Sequence, residues 1–390
     1  MDGTKNTEWF METIGSFQSY AEYTGMPYLE VIILGPYLIL IFVICFEALV
    51  ILHSDVFKDR KKTFLVVVAI EIIVFTGLRS SNIGSDTAAY VRFVDLYKGI
   101  SFSQIWDISN NPYEFEIGYL ILCKICSFLG ITGTKFLFLI AIIIYVPFFV
   151  FVYRESNSPL ISILAYFTFG LFYYSLGIFR QMIAISICLS AIPALKENKF
   201  VKYICIIGAA MLFHTTAICW IPLYWLSNID INRYKRKIIP LGAICLLAGN
   251  IVVKVILLIV PRYSHYVGTI RAEGGGSYLM LLLLGATYLA IENKVTSEDT
   301  SRIDQITIAA IALSVILQAT AYSFGLLGRA ICYYSLFEAL MIPRLIDCWI
   351  SENSKQLAKL LVVIALVVLT VLTQLNGNQY ICPFTFFWQM

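Results

Sequence analysis

Residues 76–97 read TGLRSSNIGSDTAAYVRFVDLY and interrupt a very apolar chain with a cluster of polar side chains. Glycines on either side of Arg79 break regular structure, and the Ser85-Asp86 pair can cap a short amphipathic helix that ends near Tyr97. The stretch begins where an apolar run ends. We therefore expect a loop and a helix that lie at a membrane surface.

The composition is that of a protein embedded in lipid. Hydrophobic residues make up 59% of the 390 residues and charged residues only 14%, whereas about 25% is usual in a soluble domain. Mean hydropathy is +0.81. The net charge of +3 is too small and too dispersed to favour nucleic acid as a partner. The sequence predicts an all-α polytopic membrane protein with about 11–13 apolar segments, including short or re-entrant helices, and external amphipathic loops.

The charges of the loops predict the domain division and the orientation. The acidic residues 1–30 do not form a cleavable signal peptide and are expected outside, while 31–390 form a single integral membrane domain. A first spanning helix over 36–52 is followed by a basic loop, 53–62, which the positive-inside rule places in the cytoplasm. The run 63–78 then returns, so the quoted stretch lies outside.

The number of crossings between Arg79 and Arg180 stays open. Both arginines are expected at external helix ends, so an even number of crossings must separate them. The apolar run 117–129 has only about thirteen residues, closer to a re-entrant segment than to a span. If it spans, Arg154 lies outside; if it is re-entrant, another run must also fail to cross.

The apolar run 200–226 is interrupted in its middle by His214, Thr215 and Thr216. Basic loops flank the run on both sides, and a single crossing would place one of them outside. Two half-helices that meet at His214 fit the charge pattern better.

Arginines at the external ends of helices predict an anion site. One such arginine alone could be a snorkelling membrane anchor. Several that converge on one face supply the permanent charge and forked donors that suit a phosphate. Amide donors, aromatic rings and a second external loop over 261–277 complete the group. The candidate substrate-binding residues are Arg79, Tyr90, Arg180, Gln181, Arg271, Arg329 and Tyr333.

Three further ionisable residues are functional candidates: Asp86, His214 and Glu116. Asp86 and Glu116 are the best-placed external carboxylates. A lone histidine on an apolar helix is usually a core residue, but an ionisable group at membrane depth between two half-helices is a functional candidate.

The polar groups fall into short motifs in a fixed order. They are GLR at 77–79, GSDT at 84–87 followed by Tyr90, EIGY at 116–119, FRQMIA at 179–184, FHTTA at 213–217 and RAICYY at 329–334. Together with the Pro-Phe pair of the tail, they resemble the ordered motifs of the EpsG family of Wzy-like exopolysaccharide polymerases. The resemblance runs from about residue 30 to the end, and the acidic N-terminal segment departs from it.

The resemblance implies polymerisation of lipid-linked repeat units into an exopolysaccharide or O-antigen at the outer face of the bacterial cytoplasmic (inner) membrane. The donor would be a glycan on a polyprenyl diphosphate such as undecaprenyl diphosphate, and the acceptor a newly flipped repeat unit. The acceptor hydroxyl would need a general base, for which Asp86 or His214 is preferred and Glu116 comes third; no spacing in the sequence fixes which of them reaches the hydroxyl. No cofactor and no metal are expected, because arginines could neutralise the leaving diphosphate. Membrane lipid, a chain-length regulator and a flippase are the expected partners.

Two other functions share some of these features. A glycosyltransferase that uses a polyprenyl-phosphate sugar, or a glycan ligase, would need the same arginines and base but differ in donor and product length. A lipid-linked glycan flippase or transporter would need polar residues along a path through the membrane, whereas the candidates here cluster at one face.

Overall fold

A computed structural model describes residues 35–107, 111, 114–229, 235–247, 301–321, 327–349, 351–375 and 381–389, with single residues at 251, 254, 258 and 285. The structure is 79% helical and no strand forms in these ranges, which confirms the all-α prediction. The expected N-terminal segment and the expected loop over 261–277 with Arg271 lie outside the described residues.

The described helices are numbered in chain order. The first eight are α1 (Gly35–Leu52), α2 (Arg60–Gly77), α3 (Thr87–Leu96), α4 (Ile117–Phe128), α5 (Thr134–Glu155), α6 (Pro159–Thr168), α7 (Leu171–Gly177) and α8 (Phe179–Leu189). The next eight are α9 (Ile192–Lys196), α10 (Phe200–Met211), α11 (Ile221–Leu226), α12 (Lys235–Leu247), α13 (Arg302–Ala321), α14 (Gly328–Ser335), α15 (Glu338–Trp349) and α16 (Lys355–Leu375). Short 3₁₀ turns form at Phe102–Trp106, Thr215–Trp220, Glu352–Ser354 and Phe387–Gln389.

Four described helices are long and apolar enough to cross a membrane: α1, α5, α13 and α16. The bent pair α6–α7, with a break of 58°, would make a fifth span. In α13, 72% of the apolar 18-residue stretch is buried inside the protein, against 11% of the corresponding stretch in α16. The first is therefore an inner helix and the second a peripheral one that faces lipid. These helices confirm a polytopic membrane protein.

Side-chain contacts define two opposite faces of the bundle. On one, the Lys61 face, Lys61 donates to the carbonyl of Ser156 over 2.6 Å, and Lys196 pairs with Glu155 at 3.0 Å. On the other, the Arg79 face, Arg79 Nη2 donates to the carbonyl of Leu176 over 2.9 Å. Helices α2 and α5 pack along each other and connect the two faces.

These faces answer the question of how many crossings separate Arg79 from Arg180. Helix α4 has only 12 residues, about 18 Å, and is too short to span. Helix α5 crosses once and the bent pair α6–α7 crosses back. Two crossings therefore place both arginines on the Arg79 face, with Arg154 at the other.

The chain around His214 forms a helical hairpin, as the charge pattern predicts. Helix α10 ends at Met211, His214 is extended with φ −158° and ψ 120°, and a 3₁₀ turn leads into α11. At the base of the hairpin, Tyr224 Oη donates to the carbonyl of Asn198 over 2.8 Å. The hairpin therefore begins and ends on the Lys61 face, and His214 lies at its tip.

The C-terminal segment packs onto the ends of α1 and α2 at the Arg79 face. Tyr37 Oη donates to the carbonyl of Ile381 over 2.7 Å, and the rings of Phe75 and Phe384 stack at 4.3 Å. The backbone N–H of Ser80 also donates to the carbonyl of Thr385 over 2.8 Å. This segment covers the loop that carries Arg79.

Candidate functional site

Four elements meet at the Arg79 face and bring polar groups together around one carboxylate. Glu116, at the N-terminus of α4, accepts from Arg180 Nη1 through Oε2. Its other oxygen, Oε1, lies 2.8 Å from His214 Nδ1 and 3.3 Å from the backbone nitrogen of Thr215. Arg180 Nε lies 3.4 Å from the hydroxyl of Tyr90. We call Tyr90, Glu116, Arg180 and His214 the Glu116 cluster.

A close backbone contact holds the hairpin tip against α4. Gly118 donates its N–H to the carbonyl of Leu212 over 2.8 Å. A Cβ at this position would lie 2.7 Å from that carbonyl oxygen, so only glycine permits the approach. The contact sets the distance between Glu116 and His214, which are 98 residues apart in sequence.

Aromatic rings fix Arg180 from the other side. The guanidinium lies 4.4 Å from the ring centroid of Phe115, a cation–π distance. The ring of Tyr90, whose residue is 2% exposed, stacks on Phe179 at 4.9 Å. Phe115 precedes Glu116 and Phe179 precedes Arg180 in the chain, so residues adjacent to the ion pair supply its packing.

Glu116 is a carboxylate at neutral pH. Burial would raise its pKa, but the hydrogen bond with His214 and the positive charge of Arg180 outweigh burial and lower the pKa from 4.5 to about 2. Such a weak base cannot take a proton from a sugar hydroxyl efficiently. Its two oxygens accept from Arg180 and from His214, so Glu116 is placed to orient both neighbours.

His214 is neutral at neutral pH, and its tautomer follows from its partner. Burial lowers the pKa of the imidazole below 6.5; the hydrogen bond with Glu116 opposes this, and the charges of Arg180 and Arg329 lower the pKa further. An ionised carboxylate only accepts hydrogen bonds, so Nδ1 must carry the hydrogen. The lone pair is then on Nε2, which is buried and has no hydrogen-bond partner among the described residues.

Arg329 is the exposed cation beside this cluster. It lies in the first turn of α14, and its guanidinium makes no hydrogen bond to a described residue. Its charge acts on both His214 and Tyr90. Gln181 Nε2 donates to the carbonyl of Arg329 over 2.6 Å and fixes the start of this helix.

The structure does not bring all the sequence candidates to the cluster. Arg79 is 2% exposed and donates to the backbone carbonyls of Thr76 and Leu176. Its guanidinium lies 5.4 Å from the centroid of Phe179. It therefore supports the site from behind, where the sequence predicts a surface arginine that binds phosphate.

Two further candidates are buried in the scaffold. Gln181 is 2% exposed and keeps Oε1 without a partner in the described part of the chain. Tyr333 is 0% exposed, and its hydroxyl accepts from Thr216 at 3.2 Å, next to the hairpin tip. These positions suit residues that hold α8, α14 and the hairpin in place.

Asp86 is exposed at the N-terminus of α3, one turn from Tyr90. No ion pair holds it within the described ranges. It therefore lies at the edge of the cluster, without the orienting contacts that His214 has.

Sequence reasoning missed two residues that shape the site. Phe115 supports Arg180, and Gly118 lets α4 touch the hairpin tip. Gly118 lies inside the EIGY motif, so a glycine at the start of an apolar helix was the available signal for a close contact.

Comparison with known proteins agrees with the ordered motifs. A family model described as EpsG family matches residues 62–386. No curated protein and no solved structure matches the chain. The matched range includes the whole Glu116 cluster, Arg329 and the hairpin. The chain therefore belongs to the EpsG family, a family of Wzy-like polymerases.

Proposed function

We propose that the protein joins polyprenyl-diphosphate-linked oligosaccharide repeat units into a surface polysaccharide. Family membership supports a polysaccharide polymerase-like role in a membrane. The observation that carries the finer proposal is the pair formed by Glu116 and His214, at 2.8 Å, in which the Nε2 lone pair of His214 has no hydrogen-bond partner in the described part of the chain. Two arginines, Arg180 and Arg329, lie beside it. A proton acceptor beside fixed cations is what glycosyl transfer from a diphosphate requires.

In the proposed reaction, His214 Nε2 accepts the proton of an acceptor hydroxyl as that oxygen attacks the anomeric carbon of the donor. The bond between this carbon and the diphosphate oxygen breaks, and the electron pair leaves with the polyprenyl diphosphate. The guanidinium groups of Arg180 and Arg329 stabilise the charge that develops on the leaving group. The proton on His214 then returns to solvent, so charge and atoms balance.

His214 is the preferred base because Glu116 orients it and its Nε2 lone pair has no partner in the described chain, whereas both oxygens of Glu116 already accept hydrogen bonds. Glu116 fixes the hydrogen on Nδ1 in the way that a carboxylate fixes a catalytic histidine in other acyl- and group-transfer sites. An unpaired buried acceptor costs about 1–3 kcal/mol, and a substrate hydroxyl would relieve that cost. Asp86 has exposure but no such orientation.

We further propose that the site faces outward from the bacterial cytoplasmic membrane. The Lys61 face collects the basic residues at the ends of α2, α9 and α10, and the positive-inside rule places such a face in the cytoplasm. The Glu116 cluster lies on the opposite face. A flippase would then supply the repeat unit, and a chain-length regulator would act beside the polymerase.

The first test is a polymerisation assay with the purified protein and a lipid-linked repeat unit, followed by gel analysis of product length with and without EDTA. A ladder of products that survives EDTA is expected, because arginines rather than a metal ion neutralise the diphosphate in this proposal. A single added unit, or a reaction only with a different donor, would indicate the transferase or ligase. Movement of substrate between leaflets without any product would indicate the flippase.

The same assay tests the arginine. Arg329→Ala should abolish chain extension while the protein remains folded, since the side chain is exposed and without a hydrogen-bond partner in the described chain. Arg92→Ala is the matched control: Arg92 is an exposed arginine on α3, at the same face. Wild-type ladders from both variants would contradict the diphosphate site.

A further inference from the structure

The carboxylate of Glu116 is shared between a cation and the candidate base. Oε2 accepts from Arg180, and Oε1 accepts from His214 Nδ1 at 2.8 Å. We propose that Glu116 couples the two: an anionic diphosphate that binds Arg180 frees the charge of Glu116 to act on His214, which then accepts a proton more readily. This inference rests on the proposed function, because the diphosphate is the donor's leaving group.

In the substrate-free arrangement, burial and the positive charge of Arg180 keep the imidazole of His214 neutral against the opposing effect of Glu116. Arg180 neutralises the carboxylate that would stabilise an imidazolium, and it also repels positive charge on His214. Nη2 of Arg180 donates to no described residue, so the guanidinium has a free edge for an incoming phosphate oxygen. Arginine binds diphosphates with two parallel hydrogen bonds. To form both, Arg180 would use Nη2 together with Nη1, which would be shared with Glu116 or released from it.

Once Arg180 is engaged by a diphosphate, Glu116 keeps its hydrogen bond to Nδ1 but loses its counter-ion. The carboxylate then stabilises the imidazolium form of His214, and the diphosphate adds further negative charge. Proton transfer is most efficient when the pKa of the base lies near the working pH. A histidine that burial holds below 6.5 would therefore become a better base when the donor is in place.

Within the described ranges, three other groups lie around His214 and Arg180. Arg329, from α14, repels the imidazolium, and a diphosphate bound there would remove this repulsion directly. Tyr90, from α3, contacts Arg180, and Tyr333 reaches the hairpin through Thr216; both are buried neutral phenols. Among the described residues only Glu116 makes a hydrogen bond with both His214 and Arg180, so its removal separates coupling from direct electrostatic effects.

The experiment follows the imidazole of His214 by NMR in histidine-labelled protein, with inorganic pyrophosphate as the probe. The chain has only three histidines, and replacing His265 by Gln leaves His214 and His53. His53 is exposed and directly follows the C-terminus of α1, away from the Glu116 cluster, so it serves as the internal control. Separately, His214→Gln in the protein that keeps His265 should remove one imidazole signal, which confirms the assignment of the His214 resonance.

We expect pyrophosphate to raise the pKa of His214 by about one unit or more and to leave His53 unchanged. In Arg180→Gln the pKa of His214 should already be raised without pyrophosphate and should respond weakly to it. In Glu116→Gln the pyrophosphate effect should fall to less than half. A full effect in Glu116→Gln, or no effect in the unsubstituted cluster at millimolar pyrophosphate, would overturn the coupling.

The two proposals fail in different ways. If purified protein makes the product ladder and His214→Gln does not, but pyrophosphate leaves the imidazole unchanged, the polymerase proposal stands and the coupling is wrong. If the imidazole responds through Glu116 but no product forms from a lipid-linked repeat unit, the anion site is real and its substrate is a different diphosphate.

Discussion

The guanidinium of Arg79 joins two segments of backbone at the face of the molecule that carries the site. It donates to the carbonyls of Thr76 and Leu176, and the carbonyl of Leu176 also accepts from Thr87 Oγ1 at 2.6 Å. Gly84, with φ 99°, lies against the same carbonyl, and a Cβ there would be 2.2 Å from its oxygen. The first two motifs of the sequence therefore build one joint between α2, α3 and α7.

This joint predicts a stability effect. Arg79→Ala should lower the free energy of unfolding by roughly 2–4 kcal/mol, because the carbonyl of Thr76 loses a buried donor, the carbonyl of Leu176 is left with Thr87 Oγ1, and a cavity forms. The measurement is thermal unfolding of the purified protein, with the exposed Arg92→Ala as control. An unchanged unfolding temperature together with lost chain extension would instead return Arg79 to the role of a phosphate ligand.

At the residue scale, most of the polar groups of the site could be predicted from the sequence, but which of them are buried in the scaffold and which belong to the Glu116 cluster could not. Arg79 and Arg180 occur in similar positions, directly after a glycine-containing turn at a helix end. One is buried on carbonyls and the other is paired with Glu116. The difference depends on the C-terminal segment, which covers the Arg79 loop, and no local pattern reports a contact with residues about 300 positions away.

At the scale of elements, the hairpin from Phe200 to Leu226 presents His214 to α4. Its charge pattern predicted two half-helices, since basic loops flank both ends. The position of the tip follows instead from side chains inside the hairpin: Tyr203 Oη donates to the carbonyl of Trp220 over 2.5 Å, and Trp220 Nε1 donates to that of Tyr333 over 3.1 Å. Such pairings were not readable from the sequence.

The contact between hairpin and α4 predicts a positional effect on activity. Gly118→Ala should push the hairpin tip away from Glu116 and reduce chain extension on the order of 100-fold, as misplacement by about 1 Å does in other enzymes. Gly208→Ala, in α10 of the same hairpin, is the matched control, because a Cβ there meets nothing within 4 Å and alanine favours the helix. The product ladder and the unfolding temperature are measured together for both variants.

Equal activity of Gly118→Ala and Gly208→Ala would show that the hairpin tip does not depend on α4. A fall in the unfolding temperature of Gly118→Ala that accompanies its loss of activity would indicate a folding defect. The activities are therefore compared at a temperature where both variants remain folded. The chain-extension rate per folded molecule is then the quantity that decides.

At the scale of the molecule, two faces separate the basic residues from the site. Arg302 ties the Lys61 face together: it donates to Asn198 Oδ1 over 2.8 Å and to Asn228 Oδ1 over 2.9 Å, at the two ends of the hairpin. Hydropathy was enough to predict the membrane class. It was not enough to count crossings, because α4 is short, α6–α7 is bent and the hairpin returns to its own side.

This arrangement predicts which side of the membrane each face meets. Ser85→Cys and Arg92→Cys, at exposed positions near the site, should react with a membrane-impermeant maleimide in intact cells. Lys58→Cys and Lys199→Cys, exposed on the Lys61 face, should react only after the membrane is permeabilised. The unsubstituted chain gives the background from its own cysteines. Reaction at Lys58→Cys in intact cells, with Ser85→Cys protected, would reverse the orientation and place the Glu116 cluster in the cytoplasm, where a flipped repeat unit could not reach it.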